Sequence, residues 1–382
     1  MKILLVGTGG FAGYYVNILL NEQIPSVTWE GIVDPYYSAC KYREKIDALN
    51  IPVYDTIEEF FARHTADLTI ICTPTYLHCE QSISALSNGS NVLCEKPVAP
   101  TEKEAKRMLD AENKYGRFIA IGYQWSYSDA MQKLKKDILN GTLGAPISFK
   151  TVISWPRSKD YYERGSGWGG KIEKDGRLIL DSIASNACSH YLHNMFFVLG
   201  NTMQTSSSLT DIKAECYRAN DIENFDTCCI KMKTENGVKL YFAASHAAGK
   251  LKNPEFIYAF QNGVVKYSKD EGSQIIAQFN NGEEKIYGNP YENAFKKLWD
   301  CIDAVNNGTT PVCTVRTALP HVQLIENIYK TTKIHNFPKE HIKIDKEQNT
   351  IYVPGLFESL NLAYEKCFMF SETNSDLFQN LA

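Results

Sequence analysis

A glycine-rich turn, Gly7-Thr8-Gly9-Gly10-Phe11-Ala12, follows at once on the apolar run Lys2–Val6 and opens an amphipathic stretch, Ala12–Asn21. That order, strand then tight turn then helix, restricts the start of the chain to one kind of architecture. Further apolar runs at Thr28–Val33, Leu68–Cys72, Asn91–Cys94 and Phe118–Ile121 alternate with helical patterns at Ile57–Arg63, Cys79–Asn88 and Thr101–Tyr115. Strands that read as continuous apolar runs and alternate with helices indicate a parallel sheet covered on both faces.

The turn has the G-x-G-x-x-A spacing of a dinucleotide fingerprint. Gly7 permits the tight turn, Gly9 lets the backbone approach a pyrophosphate, and Ala12 is small enough for helix to pack on strand. Gly10 and Phe11 share the turn and are counted with it as cofactor-binding. Phosphates would sit at the helix N-terminus, where unpaired N–H groups and the helix dipole favour negative charge. The second strand ends in Val33-Asp34, where an acid binds both ribose hydroxyls and repels a 2′-phosphate. NAD is therefore expected over NADP, although Lys41 and Arg43 lie where a 2′-phosphate could be received.

After about residue 145 the pattern changes. Runs rich in β-branched and aromatic residues are punctuated by Asn236-Gly237, Asn262-Gly263 and Asn281-Gly282. Asn-Gly between such runs is the strongest short hairpin signal, so an antiparallel meander is expected. Tyr291–Asn306 and Thr317–Thr332 read as helices, and the last 50 or so residues as a wrapping tail of low regularity. The expected organisation is a dinucleotide-binding domain over 1–122 and a substrate and oligomerisation domain over 123–382.

Composition bounds the partners. A net charge of -4, with no basic run, gives no general attraction to nucleic acid or to anionic membranes. The apolar start of the chain stops at Gly7, too short for a signal peptide core. The 11 cysteines are odd in number, show no framework spacing and include no C-x-x-C pair, so reduced thiols and a cytoplasmic location are expected.

Thr73-Pro74-Thr75-Tyr76-Leu77-His78 after one strand, and Glu95-Lys96-Pro97 after the next, form a pair of motifs. Together they resemble the Gfo/Idh/MocA family, the glucose–fructose oxidoreductase and inositol dehydrogenase group, from Met1 to about Thr332. The resemblance implies an α/β Rossmann domain followed by an α+β domain with a large, mostly antiparallel open sheet, often used for dimerisation. It implies a cis Lys96–Pro97 bond and a catalytic Lys96, with Thr73, Pro74, His78 and Glu95 around the cofactor. A cationic lysine beside a secondary hydroxyl would stabilise the negative charge that develops as hydride leaves. Glu95 is read as orienting the loop or Lys96. For His78, packing at a helix start is an equal reading.

Family members commonly carry an Asp, a His four residues later and a second Asp three beyond that, ahead of a Leu-Gly. Counting back from Leu199-Gly200, this chain has Asn186, His190 and His193. Spacing i, i+4, i+7 would place all three on one helical face. His190 matches the catalytic histidine and suits proton exchange near neutral pH. Asn186 and His193 depart from the two acids, and are read as substrate-binding. Asp181, five residues upstream, could restore a carboxylate if the chain bulges there. His190-x-x-His193 offers only two metal ligands, so no metal is expected.

The loop Trp155–Lys171, with Tyr161, Tyr162, Arg157, Arg164 and Trp168, could clamp a sugar or form an aromatic interface. Gln124 and Trp125 are further candidate substrate contacts. The expected function is NAD-dependent hydride transfer at a secondary hydroxyl of a sugar, polyol or sugar derivative. The rivals are an NAD-dependent glycosidase acting by transient oxidation and a non-catalytic sensor of cofactor or sugar. The expected partners are a small carbohydrate or polyol and further copies of the chain, at least a dimer.

Overall fold

The computed structural model describes residues 1–22, 26–164 and 167–379. It divides into two compact units, the first made of Met1–Tyr123 with Phe295–Leu319, the second of Gln124–Ala294 with Pro320–Ala382. The sequence pattern alone puts everything after residue 122 in the second domain. The return of Phe295–Leu319 to the first unit left no mark in composition.

The first unit is a parallel sheet of β1 (Lys2–Val6), β2 (Thr28–Val33), β3 (Val53–Tyr54), β4 (Leu68–Ile71), β5 (Asn91–Cys94) and β6 (Ile119–Ile121). Their order is β3-β2-β1-β4-β5-β6, so the direction of winding reverses between β1 and β4. β3, two residues long, is too short to show in the sequence pattern. Ile3, Leu5, Ile32, Leu68, Ile70 and Leu93 fill one face, against Tyr15 and Val16 of helix Ala12–Asn21 and Leu298, Cys301 and Ile302 of helix Lys296–Asn307. Each such aliphatic side chain contributes about 1.5–3 kcal/mol on burial. The edge strand β6 is shielded where the Ile121 N–H donates to the Cys313 carbonyl at 2.8 Å.

The second unit is built on a nine-stranded sheet. Its strands are β7 (Pro146–Ser154), then β10 (Leu209–Arg218), β11 (Thr227–Thr234), β12 (Lys239–Ser245), β13 (Lys252–Phe260), β14 (Gly263–Ser268), β15 (Ile275–Phe279), β16 (Glu284–Gly288) and β17 (Ile334–Asn336); β8 (Glu173–Lys174) and β9 (Arg177–Leu178) form a separate small pair. The order is β16-β15-β14-β13-β7-β12-β11-β10-β17. Only the β7–β12 and β10–β17 pairings are parallel. All three Asn-Gly pairs sit at hairpin ends, joining β11 to β12, β13 to β14 and β15 to β16. The conformational reason is narrower than two adjacent positive φ angles: Gly237 and Gly282 adopt φ of 82° and 88°, while their asparagines do not.

One face of this sheet packs Phe149, Phe242, Phe256 and Tyr258 against Leu192, Met195 and Phe196 of helix Ser189–Phe197. The opposite face of β7 and β10–β12 is covered by the chain itself. Val152, Tyr217, Cys229, Tyr241 and Ala243 pack under Phe337, Leu356, Leu360, Ala363, Phe370 and Phe378. The tail wraps, but it is more regular than its sequence suggested: β18 (Lys343–Asp345) pairs with β19 (Thr350–Tyr352), and Leu356–Lys366 is a helix. That face is thus occupied by the chain's own tail over four strands. Cys228 and Cys229 point to opposite faces, and all 11 cysteines are free thiols. Among the described residues no helix is long and apolar enough to cross a membrane.

Candidate active site

In the first unit the candidate residues gather at the C-terminal ends of β1, β2, β4 and β5, around the point where winding reverses, the place where open α/β sheets bind ligands. Gly7 leaves β1 with φ 90°, and a Cβ there would stand 3.2 Å from the Cys72 carbonyl oxygen. A Cβ on Gly9 would meet no protein atom within 4 Å, so the main chain of the turn is open to close approach. Phe11 is exposed and Ala12 fully buried, as helix-on-strand packing requires. Asp34 stands across from this turn: its carboxylate accepts from the Thr8 N–H at 2.8 Å and the Tyr36 N–H at 2.8 Å. The residues present therefore fit a dinucleotide: an open glycine cradle at a helix start, with an acid fixed beside it.

The two Pro-containing motifs are tied together by His78. Its ring is buried, with Nδ1 2.8 Å from the Pro97 carbonyl and Nε2 2.8 Å from the Thr73 carbonyl. Burial pushes its pKa down, against the opposing pull of those carbonyls. A neutral ring can donate to only one of them at a time. His78 thus fixes the spacing of the Thr73-Pro74 and Lys96–Pro97 turns from beneath. The Lys96–Pro97 bond is cis.

Glu95 has a similar supporting place. It accepts from the Tyr15 hydroxyl at 2.7 Å and forms an ion pair with Lys297, whose side chain is 0 % exposed. The Lys297 ammonium also lies 4.7 Å from the ring centroid of Phe11, in the glycine-rich turn. A Cβ on Gly122 would come within 2.7 Å of the Glu95 carboxylate, so only glycine leaves room for it. Lys297 was not singled out from the sequence. Its signal is faint: a lysine on the same helical face as Cys301 and Ala304, where a core residue belongs.

In the second unit the single helix expected to carry Asn186, His190 and His193 is interrupted. Ile183–Ala187 is one π turn, closed by the Cys188 N–H to the Ile183 carbonyl at 2.8 Å, and helix Ser189–Phe197 begins after Cys188. Such turns are frequent at functional sites. Ahead of it Leu180 adopts φ 53°. These irregularities bring Asp181 back toward Asn186, whose Nδ2 donates to Asp181 Oδ1 at 2.7 Å, while Oδ2 accepts from the Gly170 N–H at 2.6 Å. The carboxylate absent at position 186 is thus held next to it.

His190 is the one residue of helix Ser189–Phe197 that is not buried. His193 lies in the core, 3.2 Å from the Ser126 hydroxyl, and burial lowers its pKa well below the usual histidine value, aided by nearby His321 and Lys135. That is the place of a packing histidine. Trp125, too, is a core residue, edge-on to Tyr191, Tyr267 and Tyr291. Gln124 is half-buried, and Trp168 lies under the Arg164 guanidinium at 4.5 Å. Gly165 and Ser166 of the aromatic loop lie outside the described residues. Among the described residues no group of three or more His, Cys, Asp or Glu side chains could hold a metal ion.

Residues 1–123 match the family model described as "Oxidoreductase family, NAD-binding Rossmann fold". D-glucoside 3-dehydrogenase of Escherichia coli (strain K12) is 32 % identical over 95 residues, 25 % of this chain and 27 % of that protein. The match therefore spans little more than a quarter of this relative's length. 4-Carboxy-2-hydroxymuconate-6-semialdehyde dehydrogenase of Sphingobium sp. (strain NBRC 103272 / SYK-6) is 24 % identical over 267 residues, 69 % of this chain and 78 % of that one. The fold is shared with the WlbA dehydrogenase from Bordetella pertussis, solved with NADH and UDP-GlcNAcA: the TM-score is 0.70 at 20 % identity, covering 87 % of this chain and 96 % of the other. Residues 1–123 of this chain thus match the model of the Gfo/Idh/MocA oxidoreductases, an NAD-binding Rossmann fold.

Proposed function

We propose that this protein is an NAD-dependent dehydrogenase acting on a secondary hydroxyl of a sugar, polyol or sugar derivative. The observation that carries the reading is the placement of His190: the other eight residues of its helix are buried, and His190 alone among them is partly exposed. NAD, cradled by Gly7, Gly9, Gly10 and Ala12 with Asp34 toward the adenosine ribose, supplies the hydride acceptor. Lys96, on the turn that His78 and Glu95 brace, stabilises negative charge on the reacting oxygen. His190 takes or returns the hydroxyl proton. Asn186, steered by Asp181, donates or accepts at a neighbouring hydroxyl, and His193 supports the helix from within.

The name of one relative, D-glucoside 3-dehydrogenase, agrees with this reaction class. A sensor without turnover would be favoured by an asparagine where the family has an acid, but Asp181 stands 2.7 Å from that asparagine and counts against it. The test is NADH formation over a panel of sugars and polyols, followed by two variants on whichever substrate turns over. Lys96→Met is expected to lower kcat by about 100–1,000-fold with NAD affinity nearly unchanged. His190→Asn is expected to lower it by roughly 100-fold or more and to remove one ionisation from the pH profile. Wild-type turnover in both variants would overturn the assignment.

A further inference from the structure

The segment that follows β7 carries two arginines that the proposed reaction does not use. The Arg157 guanidinium lies 5.3 Å from the ring centroid of Trp155 and 4.7 Å from that of Tyr161. The Arg164 guanidinium lies 3.7 Å from the same Tyr161 centroid and 4.5 Å from that of Trp168. Two like charges thus converge on one aromatic ring.

Among the described residues no ion pair joins either guanidinium to a carboxylate, exposed Asp160 between them in the chain included, and four other nearby acids are engaged elsewhere. Glu163 pairs with Lys159 at 3.2 Å and Glu223 with Lys171 at 3.1 Å. Asp226 accepts from the Ala219 and Asn220 N–H groups, from the Asn220 side chain and from Thr227. Asp181 is occupied by Gly170 and Asn186. Buried His246, 2.9 Å from the Tyr162 hydroxyl, is held well below the usual histidine value, first by burial and then by the charges of Arg157 and Arg164. It adds no negative charge. Half-buried cations without a counter-charge oppose folding, and the planar fork of arginine matches the oxygens of a carboxylate or phosphate.

The segment is fixed to the candidate catalytic residues at both ends. Trp155 packs edge-on against Tyr191, the neighbour of His190, at 5.6 Å. The Gly170 N–H holds Asp181, which in turn holds Asn186. We propose that Arg157 and Arg164 form an anion-recognition subsite, and that the substrate is an acidic sugar whose carboxylate or phosphate they bind. The proposal rests on the dehydrogenase reading for the sugar, and on the arginine pair alone for the anion.

The experiment compares matched ligands with the full-length protein and NAD: glucose, glucuronate, glucose 1-phosphate and UDP-glucuronate, by NADH formation and by calorimetric titration. At least one anionic member is expected to bind 10–100-fold more tightly than glucose, with an affinity that falls as salt rises. Arg157→Gln and Arg164→Gln should each raise KM for that ligand about 10–100-fold with kcat little changed, Arg157→Lys should lose less, and the melting temperatures should stay near wild type. The uronate and phosphate arms identify which oxyanion is read. Equal KM for neutral and anionic members, or unchanged KM in both Gln variants, overturns the subsite and leaves the dehydrogenase standing. If none of the four is oxidised, titration decides on the subsite alone: anion binding lost in Arg157→Gln sustains it, and anion binding absent from the wild type or unchanged in the variant overturns it.

Discussion

Replacing Lys297 by methionine tests whether the Glu95 ion pair is the keystone of the cofactor unit. The ammonium is fully buried, and its partner carboxylate is only 9 % exposed, so neither charge can turn to water when the other is removed. Met fills the volume of the lysine stem, so the packing loss is small and the perturbation is electrostatic. Glu95 would keep the Tyr15 hydroxyl as a donor at 2.7 Å but lose its counter-charge. Breaking a buried pair on one side costs about 3–5 kcal/mol. In a unit of about 150 residues, 1 kcal/mol moves the melting temperature by about 2–4 °C, so Lys297→Met should melt roughly 6–20 °C lower. The assay is differential scanning calorimetry of the wild type, Lys297→Met and the double variant Glu95→Gln/Lys297→Met. The double variant removes both charges, keeps a hydrogen bond for Tyr15, and should recover most of the loss, since an uncharged pair in the same space is nearly neutral. A single variant melting within about 2 °C of wild type, or a double variant no better than the single, would refute the argument.

Four further outcomes are expected. Asp34→Ala should weaken NAD binding by about 10-fold or more while leaving NADP binding unchanged or improved, as read by fluorescence titration of both cofactors. Burial pushes the Glu112 carboxyl up to about 7, so the folded state holds this proton more tightly than the unfolded one; this stability is complete below about pH 4.5 and is lost as pH rises toward 7. Glu112→Gln, which can still accept from the Ile119 N–H, should therefore be more stable than wild type at pH 8 by up to about 3 kcal/mol, with the advantage gone near pH 4.5 in denaturant titrations. Asn186→Asp would set a second carboxylate beside Asp181, now 2.7 Å from the Asn186 amide, so one of the two should titrate well above the usual carboxylate range and add an ionisation to the profile of kcat/KM against pH. Leu360→Asp places a charge in the fully buried layer between tail and sheet and should shift the protein into aggregates on size-exclusion chromatography.

What the sequence made legible was local. The glycine turn and Asp34 are separated by one βα unit, so their meeting follows from the rules of parallel sheets. The Asn-Gly pairs announce their hairpins because a two-residue signal is enough to set a turn. The pair of Pro-containing turns is readable through resemblance alone; the sequence offers His78 a place near the cofactor or packing at a helix start, and neither reading contains the tie it makes between the two turns. What stayed hidden depends on contacts far apart in the chain. Glu95 and Lys297 meet across 202 residues, and nothing in a 12-residue helix says which carboxylate its lysine will find. The i, i+4, i+7 spacing of Asn186, His190 and His193 read as one helix because a π turn has no residue signature of its own. The same irregularity is what puts Asp181 beside Asn186, an outcome the spacing allowed only as a bulge. The tail reads as irregular because its short β18–β19 hairpin and its α-helix are fixed by the sheet beneath them and not by their own periodicity.

That tail has a consequence in time. The strands it shelters are complete once Ser245 has been made, whereas Phe378 closes the cover more than a hundred residues later. At a synthesis rate of about 5–20 residues per second, Val152, Tyr217, Cys229 and Tyr241 stand open to solvent for roughly 7–27 s on every ribosome. An apolar face displayed for that long is a natural target for chaperones, and neighbouring nascent chains display the same one. A message cut short after β17 would release a chain whose dinucleotide unit is whole and whose larger sheet is bare on one side.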